Sequence, residues 1–338
     1  MRRPRRRLSA LLATTTFTAL VTALALPSFT AQAAKAPQDA MLGVNPGVTV
    51  IPQANTDLQG WATVNGTTTG GGNANPITVT TASALISAMQ SSQPAVIRVQ
   101  GTIELDGMQD VASNKTIIGV GTSARIVGGG LDIDSASNII IRNITFANFE
   151  DDAINITDGS HHIWIDHNTF TNGDDGAVDI KRGSDFITVS WNHVYNHNKT
   201  MLLGHSDSNG SQDRGHLRVT YHHNFFDGTT QRHPRVRFGN PVHVYNNYYR
   251  NNSGYGVAST CEAGVLVEAN YFENVEDPTH VGEGSSPGGS LVFRNNYLVN
   301  SGAPQTSGSV ASPPYFVVMD SPSSVAAIVR AGAGVGHI

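Results

Sequence analysis

One cysteine, Cys261, stands among 338 residues, so no disulfide can form within the chain. An exported protein built this way must draw its stability from a long continuous core. Charge is scarce too: Asp, Glu, Lys and Arg make up 14% of the residues, well under the usual quarter. The sequence has no His-Glu-x-x-His spacing and no phosphate-loop lysine, which argues against a helical zinc site and against nucleotide hydrolysis. The thirteen histidines include the adjacent pairs His161-His162 and His222-His223. Neighbours on a strand point to opposite faces, so these read as ladder or turn residues rather than metal ligands. The one long apolar stretch, roughly Leu8 to Leu26, is broken by threonines and short for a membrane span.

That stretch reads as an export signal. Five arginines and no acid fill the first seven residues, and Ala31-Gln-Ala33 supplies small residues for cleavage. The expectation is a secretory signal over 1–33, cut near Ala33 or Ala34, followed by a single catalytic domain over 34–338. The alternative is an uncleaved anchor, and the arginines leave a twin-arginine route open. The whole chain carries a formal charge of −5, and loss of the five leader arginines takes it to −10. Such a protein is a poor binder of nucleic acid. Neither nucleic acid nor membrane is expected as a partner, and a monomer is expected. An anionic polymer would have to be met by a local basic site or by a metal.

Glycine is abundant, at 35 residues, as a turn-rich β protein requires. Short alternating strands recur, each ending near an asparagine: Asn143, Asn168, Asn192, Asn224, Asn247, Asn270 and Asn296. The intervals are 25, 24, 32, 23, 23 and 26. Periodicity of this length with strands this short indicates an all-β solenoid. Each amide is expected to bond to the next coil, forming a ladder. The interval of 32 implies an inserted loop around 205–215. Helices are expected at 81–92, capped by Thr81 or Ser83, and at 321–332, one covering each open end of the solenoid.

The ionisable residues repeat in step with the coils. Glu150-Asp151-Asp152 is followed by Asp175 and Asp179, then by Lys199, then by Gln231-Arg-His-Pro-Arg-Val-Arg237. The steps from Asp152 to Asp175, Lys199 and Arg232 are 23, 24 and 33 residues. One coil returns the chain to the same face about 4.8 Å further along. Carboxylates, an ammonium and guanidiniums would therefore stack in one groove. Acids beside bases make sense if a divalent cation sits between the protein and an anionic substrate.

Six motifs in order carry a resemblance. They are Gly60-Trp-Ala-Thr with Thr69-Gly-Gly, Trp164-Ile-Asp-His167, Asp175-Gly-Ala-Val-Asp-Ile-Lys181, Ser190-Trp-Asn192, Asn198-Lys-Thr-Met-Leu-Leu-Gly-His205 and Gln231-Arg-His-Pro-Arg-Val-Arg-Phe-Gly239. Over roughly residues 60–336 the chain resembles the pectate lyases of polysaccharide lyase family one. The resemblance implies a right-handed, single-stranded parallel β-helix, a Ca²⁺ cofactor, and β-elimination of α-1,4-linked polygalacturonate (pectin's unesterified polymer) to 4,5-unsaturated fragments. It implies Asp152, Asp175 and Asp179 as calcium ligands, with Glu150 or Asp151 as a fourth. It implies Arg232 as the base, with Lys199 and Arg237 holding the substrate carboxylate. Arg235 is given a structural role, as are Trp164 and His167 beneath the groove.

The chemistry agrees with those assignments. The C5 proton lies α to a carboxylate and becomes acidic once that charge is neutralised by a metal and a cationic clamp. A guanidinium ordinarily holds its proton far above neutrality, so neighbouring positive charge is needed to loosen it. Three other readings compete. A pectin lyase acting on methylated chains would not need the three aspartates. A β-helix hydrolase would use paired carboxylates and leave the Lys–Arg cluster without a purpose. A non-catalytic wall-binding solenoid would need the groove but not the convergence of base, clamp and ligands.

Overall fold

The computed structural model describes residues 57–338; the expected leader at 1–33 lies outside them. Each coil lays down three short strands separated by bends. In one coil these are His161–Asp166, Thr169–Thr171 and Val178–Ile180. All three pair in parallel with their counterparts one coil below and one above. The first strands of successive coils make a ten-stranded parallel sheet, from Ile77–Val79 to Ser290–Arg294. The second and third faces are joined near the start by one long strand, Arg125–Asp134. Its first half pairs with Thr145–Ala147 and its second half with Ile154–Thr157. The described residues form a parallel β-helix of ten coils, the solenoid that the periodicity predicts. Among the described residues no helix is long and apolar enough to cross a membrane.

Register explains the core. Alternate residues of a strand point inward, and parallel pairing stacks like on like: Ile139, Ile163, Ile187 and Val219 form one fully buried column. On the second face Phe226, Tyr249 and Phe272 stack with centroids 5.1 and 4.4 Å apart. The bend between first and second faces needs a left-handed residue in every coil. His167, Trp191, His223 and Asn246 occupy that corner at φ between +51 and +54°, with the side chain turned outward.

The asparagine ladder stands one residue further along. Asn168, Asn192, Asn224, Asn247, Asn270 and Asn296 are joined amide to amide at 2.9–3.2 Å. Each acceptor oxygen also takes the backbone N–H of the preceding rung, as Asn224 does from Asn192 at 3.1 Å. Asn143 is not a rung. Strand pairing offsets the two coils by 24 residues, which places Ile144 opposite Asn168; Asn143 sits at the left-handed corner and bonds Gly119 and Gly121.

Both expected helices form, at Ala82–Gln90 and Val325–Gly332. The first is capped by Thr81, whose Oγ1 accepts from Ala84 N at 3.3 Å. It buries Leu85 and Met89 over the opening coil. The second does not close the far end. It packs on the flank, over Trp191, Phe225 and Tyr248, because the outward aromatics of three coils give its apolar stripe a drier seat. The last coil is met by a bridge from Ser307 to Leu291.

Candidate active site

The groove runs along the third face, where the bend after the second strand leads into the third. Asp151 and Asp152 end one bend, and Asp175 and Gly176 end the next. Pairing of Ile154 with Val178, carried back three residues, puts Asp151 opposite Asp175 and Asp152 opposite Gly176. Among the described residues the carboxylates of Asp151, Asp152 and Asp175 come within 4.8 Å of one another. Gly176 is required by closeness. Its amide donates to Asp152 Oδ1 at 2.9 Å, and a Cβ there would collide with the Asp179 carboxylate. Asp179 is buried on the third strand, its Oδ1 accepting from Leu202 N at 3.2 Å. Glu150 is not brought into this group; it is exposed and lines a separate hollow with Glu104 and Asp106.

Burial, then the neighbouring Asp152 charge, raises Asp179 well above the usual carboxylate range. Burial likewise raises Asp152, opposed chiefly by Lys181. Two buried carboxylates held so reluctantly are a poor arrangement by themselves. Asp152 with Asp151 and Asp175 offers a hard-oxygen donor set that a divalent cation of the calcium type fits, and Asp179 lies beneath Gly176, beside Asp152 but outside that converging trio.

The cations stand on the next coils. Lys199 Nζ is 3.2 Å from Asp175 Oδ1, and Arg232 Nη1 is 3.7 Å from the same oxygen. An isolated bridge between Lys199 and Gln231 aligns the two coils. The Arg232 carbonyl accepts from Met201 N at 2.7 Å and from the Thr200 hydroxyl, which fixes the backbone beneath the guanidinium. Its Nε is buried with no hydrogen-bond partner among the described residues. His233, next in the chain, is fully buried: Nδ1–H donates to Tyr255 O at 2.8 Å, and Nε2 accepts from Thr229 Oγ1 at 2.8 Å. It locks the Arg232 bend. Arg237 is buried and bonded to Asp207 at 2.6 Å and to Gly204 O at 3.0 Å. Arg235 bonds Ser286 Oγ at 2.8 Å and Glu283 O at 3.3 Å.

Two participants carry no role in the sequence reading, although Lys181 closes one of its motifs. Lys181 reaches Asp152 Oδ2 at 3.2 Å; strand parity with Asp179, two residues earlier, was the available signal. Asp207 lies in the inserted loop, where no periodicity marks it. Trp164 and His167 are buried and structural, but lie away from the groove, Trp164 on the first face and His167 at the corner after it: Trp164 Nε1 donates to Ser190 Oγ at 2.9 Å, and His167 Nδ1 pairs with Asp166 at 2.6 Å.

A parallel β-helix whose groove alternates carboxylates with an ammonium and guanidiniums defines a class of solenoid with a charged cleft along one face. Comparison narrows the class. The pectate lyase family profile matches residues 40–313. A pectate trisaccharide-lyase of Bacillus licheniformis is 39% identical over 310 residues, covering 86% of this chain and 89% of its own. Pectate lyase A of Dickeya chrysanthemi is 33% identical over 313 residues, covering 74% and 79%. The crystal structure of a pectate lyase from Bacillus sp. N165, in complex with trigalacturonate, superposes with a TM-score of 0.77 at 33% identity, covering 83% of this chain and 99% of that one. The chain belongs to the pectate lyase family and is a polysaccharide lyase.

Proposed function

We propose that the groove cleaves α-1,4-linked polygalacturonate by β-elimination assisted by Ca²⁺, and that the enzyme works outside the cell. The observation that carries this reading is the convergence on one face of Asp151, Asp152, Asp175 and Asp179 with Lys199, Arg232 and Arg237. The acids are the calcium ligands in this proposal, with Asp151 in the place left open between it and Glu150. Bound there, calcium would neutralise a uronate carboxylate and so acidify the adjacent C5–H. Lys199 and Arg237 orient that carboxylate and share its charge. Arg232, once neutral, takes the C5 proton. The C5–H electron pair becomes the C4–C5 double bond, and the C4–O bond breaks with its pair on oxygen, which takes a proton from solvent. Trigalacturonate in the related Bacillus sp. N165 structure supports the substrate class, and the arginine-rich apolar leader supports secretion.

Mass spectrometry of the products tests the reaction type. Elimination yields fragments lighter by one water than hydrolysis products at the new non-reducing end. Fragments carrying that water would overturn the proposal.

A further inference from the structure

The repeat between Asn192 and Asn224 is the longest, at 32 residues, and its extra chain is anchored rather than loose. A short helix, Gly210–Asp213, forms its middle. Buried Asp213 accepts from Gly183 N at 2.9 Å on the coil below. Arg214 forms a two-point pair with Glu262 two coils above, at 2.7 and 2.9 Å. Between the third strand and this helix the chain presents Asp207. Its Oδ1 accepts from Arg237 Nε at 2.6 Å and from Ser286 Oγ at 2.8 Å. Those bonds hold the carboxyl at about 2, Arg237 first among the causes, so it stays charged in use.

Gly204 completes the seat. It lies under Arg237, whose Nη1 donates to the Gly204 carbonyl at 3.0 Å, and a Cβ on Gly204 would come within 2.8 Å of the Arg237 Cβ. A guanidinium offers five N–H donors. Nε–H and one Nη1–H are committed here, on opposite sides of the head, and among the described residues the two Nη2–H and the second Nη1–H, the terminal edge of the fork, are left.

We propose that Asp207, carried by the inserted loop, is the positioning residue of the uronate clamp: it fixes the plane of the Arg237 guanidinium and presents the remaining edge to the substrate carboxylate. A long flexible cation loses rotamer entropy when it captures an anion, and a preset head removes that cost before binding. Ser286 extends the brace, since its hydroxyl donates to Asp207 and accepts from Arg235. The insertion is thereby tied to the clamp of the neighbouring coils. This inference rests on the reading of Arg237 as a carboxylate clamp.

The test is a cycle of Asp207→Asn, Asp207→Glu, Arg237→Lys and the Asn/Lys double variant, assayed on polygalacturonate with thermal unfolding as a control on folding. Loss of one charge-assisted bond should raise KM roughly tenfold in Asp207→Asn, with kcat moved less and the unfolding midpoint little changed. Asp207→Glu should recover part of the loss, and the double variant should be no worse than Arg237→Lys alone. If Arg237→Lys raises KM but Asp207→Asn does not, the brace is refuted and the clamp stands. If Arg237→Lys itself leaves KM unchanged, the clamp fails and the brace with it. A lower KM in Asp207→Asn would mean that Asp207 competes with substrate, which also overturns the proposal.

Discussion

Asp179 sits deepest in the groove, with its carboxylate beneath Gly176 and its charge opposed by burial and by Asp152. Removing it relieves the repulsion with Asp152 and, in the proposed calcium site, takes away a ligand. Asp179→Ala should therefore bind Ca²⁺ at least about tenfold more weakly while keeping a β circular dichroism spectrum, because affinity follows the charge count of the ligand set. Calorimetric titration reads this directly, and unchanged affinity would remove Asp179 from the site. Arg232 makes a different demand. Arg232→Lys keeps a positive charge but shortens the reach and loses the planar fork. Turnover should fall about 100-fold or more with KM largely kept, the signature of proton transfer in the transition state. Near-normal turnover would pass the role of base to another group, such as Lys199. At this scale the sequence made the aspartates four apart, the lysine and the arginine cluster legible, since their intervals follow the coil. The choice between Glu150 and Asp151 was not legible, because it depends on a one-residue offset fixed by strand register. Asp207 was hidden for a related reason: an insertion has no periodic partner.

The asparagine ladder is the element that sets spacing between coils. Asn224 is fully buried at its middle, accepting from the Asn192 backbone and side chain and donating to Val189 O and Asn247 Oδ1. Asn224→Ala strands the Asn192 donors in a dry interior, which should cost roughly 3 kcal/mol. A chemical-denaturation series compares it with Asn296→Ala at the ladder's end, where only one side of the stack is lost. Equal, small effects at both positions would show that the amides do not support the stack. The ladder's existence could be read from spacing alone, but its first rung could not. Asn143 satisfies the same local pattern while occupying the corner beside it, and only pairing of Ile139 with Ile163 separates the two positions. The helices teach a similar lesson. Their apolar stripes were visible, yet the seat of Val325–Gly332 depends on outward aromatics from three separate coils, a juxtaposition that a linear reading does not contain.

Across the whole molecule, buried histidines link stability to pH. Burial lowers His193, His197, His222, His223 and His243, and it pushes His233 down to about 4. A base whose folded value is depressed binds its proton more readily when unfolded. Stability is thus complete above about 6.5 and falls as pH drops from there toward 4. His233 alone should account for roughly 3 kcal/mol of that loss. Melting temperatures taken between pH 8 and 4 should decline over this window, and a flat profile would mean that these rings charge without unfolding. The groove makes the sharper claim, that one face of a solenoid joins metal ligands, clamp and base into an eliminating site. Ultraviolet absorbance from the new double bond, followed on polygalacturonate with added Ca²⁺, after a chelator and after Ca²⁺ is restored, tests it most directly. Absorbance should grow with Ca²⁺, stop in chelator and resume on restoration; undiminished growth in chelator, or chain cleavage with no absorbance, would contradict it.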